Sequence, residues 1–169
     1  MRFIHTNIAA RDWKALADFY IKVFHCKVLP PERKLSGRWL DQAMGLPEVK
    51  LEGVHLLLPG HGAEGPTLEI YSYQDLCDGE PCMPNCAGLT HIAFEVDDVD
   101  RILAEALKNG AQTLGKVARA TVVGACELKF VYFRDPEGNI IKIQSQKKWK
   151  RRSSVWSSPN AAALQKNKP

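Results

Sequence analysis

The sequence predicts an α+β fold of two βαβββ modules whose mixed, curved sheets enclose a concave cleft. Three observations carry this. His5 and His91 each open a strand-like run and each stand seven residues ahead of an aspartate, Asp12 and Asp98, that starts an amphipathic helix. His5 to Leu16 and His91 to Ile102 are both eleven residues, so each histidine bears the same relation to the helix that must cover its sheet. The order strand, helix, three strands then recurs in both halves.

In the first half, residues 3–9 have strand character, and Asp12 caps a helix whose apolar positions Trp13, Leu16, Phe19, Tyr20 and Val23 fall at helical spacing. Residues 25–29 read as a second strand stopped by Pro30 and Pro31, residues 32–47 as an irregular connection, and residues 49–58 and 67–73 as two strands around a Pro59-Gly60 turn. In the second half, residues 89–96 form the first strand, and residues 99–109 a helix capped by Asp98 with Gly110 just past its end. Strands over 112–117, 127–133 and 139–144 follow. From histidine to closing strand the halves differ by thirteen residues, a difference the stretch before Val49 absorbs as loop. Residues 1–146 therefore form one domain, with module one over 1–75, a linker over 76–87 and module two over 88–146.

A chain of 169 residues with 45% hydrophobic and 25% charged residues matches one well-cored globular domain. Its net charge of +4 is misleading, because residues 147–169 hold seven Lys or Arg and no acid, leaving 16 basic against 19 acidic residues before them. The body is thus slightly acidic, which argues against a nucleic-acid-binding face on the fold and assigns the basic surplus to a disordered tail. No stretch approaches the roughly 18 apolar residues of a membrane span, and the N-terminus lacks the build of a signal peptide, so a cytoplasmic protein is expected. Five cysteines form an odd set, and Cys77, Cys82 and Cys86 show no Cys-x-x-Cys spacing, so reduced, unligated thiols are expected.

Strand alternation orients the candidate site. In the closing strand of the first half, Leu68 and Ile70 face the helix, leaving Thr67, Glu69 and Tyr71 on the open side. In the second half, Ile141 and Ile143 pack inward, leaving Ile140, Lys142 and Gln144 open, while His91 shares a face with Ala93 and Glu95. His5, Glu69, His91 and Lys142 are predicted to share one concave surface if the two units pair edge to edge, within or between chains. A lysine thus stands where the repeat requires an acid. Proton chemistry beside a carbonyl also needs a base, for which Glu52 and Glu95 are the remaining candidates. His25, His55 and His61 have no repeat partner, and Tyr71 and Tyr73 read as core or rim packing.

Phe3-Ile4-His5-Thr6-Asn7 with Asp12, Thr67-Leu68-Glu69-Ile70, Gly88-Leu89-Thr90-His91 with Asp98, and the turn Asp135-Pro136-Glu137-Gly138-Asn139 resemble the vicinal oxygen chelate superfamily over roughly residues 3–146. That superfamily includes glyoxalase I, methylmalonyl-CoA epimerase, extradiol dioxygenases and bleomycin-resistance proteins. The resemblance implies a small-molecule substrate or ligand, a homodimer, and a divalent metal whose ligand positions match His5, Glu69 and His91. Lys142 departs from the pattern, since an ammonium donates no lone pair to a metal. Two readings follow. Either His5, Glu69 and His91 hold a metal with Lys142 beside it, or Lys142 replaces the metal's charge, pairs with Glu69 and acts as the electrophile. The leading function is a glyoxalase- or epimerase-like lyase or isomerase; the alternatives are a ferrous dioxygenase on the same three ligands and a metal-free, resistance-type binding protein.

Overall fold

The computed structural model describes residues 1–79, 83–122 and 126–148. Cys82 and the basic tail beyond Lys148 lie outside the described residues. The first module contains β1 (His5–Ala9), α1 (Trp13–Phe24), β2 (Lys27–Ser36), α2 (Arg38–Met44), β3 (Lys50–Leu57) and β4 (Thr67–Tyr73). The second contains β5 (Ile92–Glu95), α3 (Val99–Lys108), β6 (Gln112–Thr113), β7 (Ala118–Val122), β8 (Cys126–Arg134) and β9 (Ile140–Lys148). One sheet has the order β1-β4-β3-β2; the other has the order β5-β9-β8-β6, with β7 also paired to β8. The first strand of each module runs parallel to its closing strand, and the neighbouring pairs β3–β4 and β8–β9 are antiparallel. This is the α+β class expected from the repeat.

The helix starts follow from the capping aspartates. Asp12 Oδ1 accepts from the amides of Lys14 and Ala15, both at 3.0 Å, and Asp98 Oδ1 accepts from Asp100 at 2.9 Å and Arg101 at 3.1 Å. These backbone bonds, that from Arg101 foremost, hold the Asp98 carboxyl below the usual aspartate range. At its other end α1 closes on His25, which takes the left-handed conformation at φ 57° and donates its amide to the Ile21 and Tyr20 carbonyls.

Both helices bury their apolar faces in one continuous core. Leu16, Phe19, Tyr20 and Val23 of α1 meet Val54, Leu56, Leu68 and Ile70 of the first sheet, and Val99, Ile102 and Ala106 of α3 meet Val131, Phe133, Ile141 and Ile143 of the second. Each of the larger of these side chains stabilises the fold by about 1.5–3 kcal/mol relative to its exposed state. The two halves of the core are joined where Phe24 stacks on Phe94, with ring centroids 4.0 Å apart and planes within 12°.

Four elements differ from the sequence expectation. Pro30 and Pro31 do not stop β2, which runs on to Ser36; it is the outer strand of its sheet, and its register shifts between Leu29 and Arg33, so neither proline nitrogen is asked for a ladder bond. The stretch read as loop before Val49 contains α2, a helix with Leu40 as its buried residue, too short for helical periodicity to show. In module two, the strand expected over 112–117 is confined to Gln112–Thr113, and Ala118–Val122 forms an unforeseen strand whose residues are half-buried or exposed and so give no apolar alternation.

Candidate functional site

The site positions lie on the sheet faces turned away from the helices. On the first sheet Glu69 sits on β4 between Asn7 of β1 and His55 of β3. His5 Nδ1 approaches Glu69 Oε1 at 3.2 Å, and His55 Nε2 approaches the same oxygen at 3.4 Å. His55 Nε2 also meets the Tyr71 hydroxyl at 2.7 Å. One largely buried carboxylate is therefore flanked by two imidazoles, one of them tied to a phenol.

Burial pushes the His55 pKa below the usual imidazole value, with Arg33 and His5 adding to the effect and Glu69 opposing it. At neutral pH His55 is the neutral imidazole. Burial and, next, the Glu69 charge raise the Tyr71 and Tyr73 phenols, so both stay protonated. Two features position Tyr71. Gly53 stands opposite it on β3, where a Cβ would meet the Ile70 carbonyl oxygen at 1.9 Å and Tyr71 Cδ1 at 2.7 Å. Leu40 of α2 then buries with Val49, Leu51 and Tyr71 in a small second cluster, walling one end of the open face. The additional length of module one is thus a wall of the site and not merely loop.

The second sheet repeats this layout with different chemistry. Lys142 of β9 pairs with Ala93 on β5 and Tyr132 on β8, as Glu69 pairs with Asn7 and His55. The Lys142 ammonium lies 5.2 Å from the Phe130 ring centroid and 5.9 Å from that of Tyr132. His91 sets its ring edgewise to Tyr132, with centroids 5.2 Å apart, and its Nδ1 lies 3.0 Å from Thr90 Oγ1. Among the described residues no carboxylate is within ion-pair distance of Lys142, so the expected pairing with Glu69 is not formed within this chain.

Of the predicted residues, His5 and Glu69 come together, whereas His91 and Lys142 form a separate set on the other sheet. A groove of about 490 Å³ between β1 and β5 is lined by His91, Asn7, Ala9 and Arg11, but by neither His5 nor Glu69. Glu52 is on the face of β3 that carries Val54 and Leu56, opposite to that of His55, half out in solvent and 4.0 Å from Lys34 Nζ, so it is not brought to Glu69 within this chain. Glu95 is exposed, opposite Gln144 and two register positions from Lys142. The residue that sequence reading missed is His55. Its signal was the alternation of β3: with Val54 and Leu56 packed inward, His55 had to share the face of Glu69.

Imidazole nitrogen and carboxylate oxygen suit a divalent metal in kind, and within one chain His5 meets Glu69 while His91 lies on the other sheet against Tyr132. Among the described residues no group of three or more His, Cys, Asp or Glu is arranged to hold a metal ion. His55 Nε2 is engaged with Tyr71, and the fourth position of the repeat carries the Lys142 ammonium. No helix of the described residues is long and apolar enough to cross a membrane.

Comparison with known proteins agrees with this fold. The chain is similar to a glyoxalase family protein of Bacillus cereus, with a TM-score of 0.67 at 18% identity, covering 86% of this chain and 93% of that one. A glyoxalase family protein of Enterococcus faecalis gives a TM-score of 0.53 at 22% identity, covering 87% and 96%. A mutant of the fosfomycin resistance protein FosX of Listeria monocytogenes, solved with Mn(II) and a dihydroxypropylphosphonic acid, gives 0.50 at 14% identity, covering 84% and 90%. No curated protein matches the chain. At these identities the structures speak for the fold alone, but a sequence profile matches residues 4–132, and the chain belongs to the glyoxalase/bleomycin resistance protein/dioxygenase superfamily.

Proposed function

We propose that the protein is a lyase or isomerase that moves a proton next to the carbonyl of a small organic substrate, without a metal. Glu69 is the base that takes the proton from the carbon beside the carbonyl, and the Lys142 ammonium stabilises the enolate oxygen that forms. The observation that carries the reading is the equivalence of Glu69 and Lys142, which occupy the same strand position in the two modules with opposite charge. His5 and His55 flank Glu69, and neutral His55, bonded to Tyr71, adds no competing positive charge. Because the two sets stand apart in one chain, the reading places module one of one copy across a cleft from module two of a second copy, as a homodimer.

Solvent-deuterium exchange into a panel of small 2-oxo acids and acyl thioesters, followed by NMR, tests this. The wild type is expected to catalyse exchange at the carbon next to the carbonyl with or without chelator. Glu69→Gln should lower the rate by about 10²–10⁴-fold, the usual range for a positioned base, and Lys142→Met should also lower it. Exchange unchanged by Glu69→Gln, or abolished by chelation in the wild type, overturns the reading. Native mass spectrometry showing monomer alone at working concentration would remove the shared cleft. The aromatic rings under Lys142 favour a second reading, a protein that sequesters its ligand; ligand binding with no exchange would select it.

A further inference from the structure

The open face of the second sheet differs from that of the first in more than the Glu69 to Lys142 change. Where the first presents His5, Asn7, His55 and Glu69, the second presents Phe130 and Tyr132 side by side, edge to face with centroids 6.1 Å apart. Ala93 stands beside Lys142 on one flank, and Ala118 stands beside Phe130 on the other. The rings are thus bordered by the smallest side chains a strand offers short of glycine, which leaves their surroundings open. Lys142 rests over both rings with no carboxylate in ion-pair distance among the described residues.

We infer that this face is a shelf for a planar aromatic carboxylate, its carboxylate on the Lys142 ammonium and its ring on Phe130 and Tyr132. The inference rests on the reading of Lys142 as an oxyanion-binding group and adds the class of ligand. A half-buried lysine that, among the described residues, meets ring faces and no carboxylate has a weaker counterpart than a carboxylate provides, so an anion gains there what the rings do not supply. The same ammonium repels a cationic ligand that would otherwise suit an aromatic pair. A flat ring fits because offset stacking or edge contact with Phe130 and Tyr132 needs a planar π-face and the flanking alanines leave room for it. Glu95, two register positions away and exposed, disfavours a second carboxylate on that side, which favours a monocarboxylate.

The test is an NMR titration of the full chain with benzoate, benzamide, cyclohexanecarboxylate and benzylammonium at millimolar concentration. Benzoate is expected to shift amides of β8 and β9 around Phe130, Tyr132 and Lys142, and benzylammonium to shift none of them. Benzamide and the Lys142→Met variant should each weaken binding by about tenfold or more, the loss of one charge-assisted contact. Phe130→Leu should weaken benzoate more than cyclohexanecarboxylate, and the dispersion of each variant's spectrum reports its folding. Benzoate that binds Lys142→Met as well as wild type, benzamide equal to benzoate, cyclohexanecarboxylate equal to benzoate, or shifts absent from β8 and β9 each overturn the inference. A protein that binds benzoate in the expected pattern but exchanges no deuterium retains the shelf and loses the proton-transfer function; exchange without benzoate binding retains the proton-transfer function and loses the shelf.

Discussion

The Tyr20 hydroxyl donates to Asp135 Oδ2 at 2.9 Å, so a phenol on the helix of module one closes the turn that launches the last strand of module two. Asp135 is fully buried and also accepts from the amides of Glu137 at 3.0 Å and Asn139 at 2.9 Å. Burial raises its carboxyl above the usual aspartate range against the pull of these donors. Tyr20→Phe removes one donor from a buried acid and should destabilise the fold by about 1.5–3 kcal/mol, the range for hydrogen bonds to charged groups. Urea denaturation with an unchanged m-value would check it; a loss under half that range would mean the remaining donors suffice.

His55 gives stability a specific pH dependence. Its folded pKa lies below the unfolded value of 6.5, so the unfolded chain binds the proton first as pH falls. The contribution is complete above 6.5 and is lost as pH drops through the interval between that value and the lowered folded one. His55→Gln should flatten the stability profile in that interval. Thermal unfolding at a series of pH values measures it, and a slope identical to wild type would assign the titration to another group.

Gly53→Ala should cost at least about 1–3 kcal/mol, because its Cβ meets backbone at 1.9 Å and not a side chain that can swing away. It should also displace Tyr71 and so disturb the His55 contact. Chemical denaturation and the His55 ring resonances are the two readouts, and a neutral substitution would show that β3 and β4 can separate locally.

Cys26 is buried and its thiol is pushed up to about 12 by burial, whereas Cys77 and Cys86 are exposed. Thiolate is the reactive form, so iodoacetamide at mildly alkaline pH should label Cys77 and leave Cys26 untouched until the protein is unfolded. Peptide mapping decides this. Early labelling of Cys26 would indicate opening of the core beside α1.

The parts of the fold legible in sequence were those with a repeating physical cause. Asp12 and Asp98 announced the helices because a capping carboxylate must precede the amides it serves, and Leu68 with Ile70, like Ile141 with Ile143, set the strand faces because only one side of each sheet is covered. The positions of Glu69 and Lys142 followed from that alternation. What escaped notice lacked such a cause. Helix α2 buries Leu40 alone, β7 buries nothing fully, and the prolines of β2 are harmless only because of where the strand lies in its sheet, a tertiary fact. His55 has Tyr132 as its counterpart in the other module, so the matched histidines of the repeat do not point to it.

The equivalence of Glu69 and Lys142 bears on how such a chain changes over time. Ile141 and Ile143 fill the same kind of space beneath Lys142 as Leu68 and Ile70 fill beneath Glu69, so the side that holds the molecule together does not register which charge projects from the other. Foldability and reactivity are thereby written on alternate residues of one strand. A lineage carrying this architecture can exchange one chemistry for another by single steps at the outward positions, while the inward positions keep every intermediate folded.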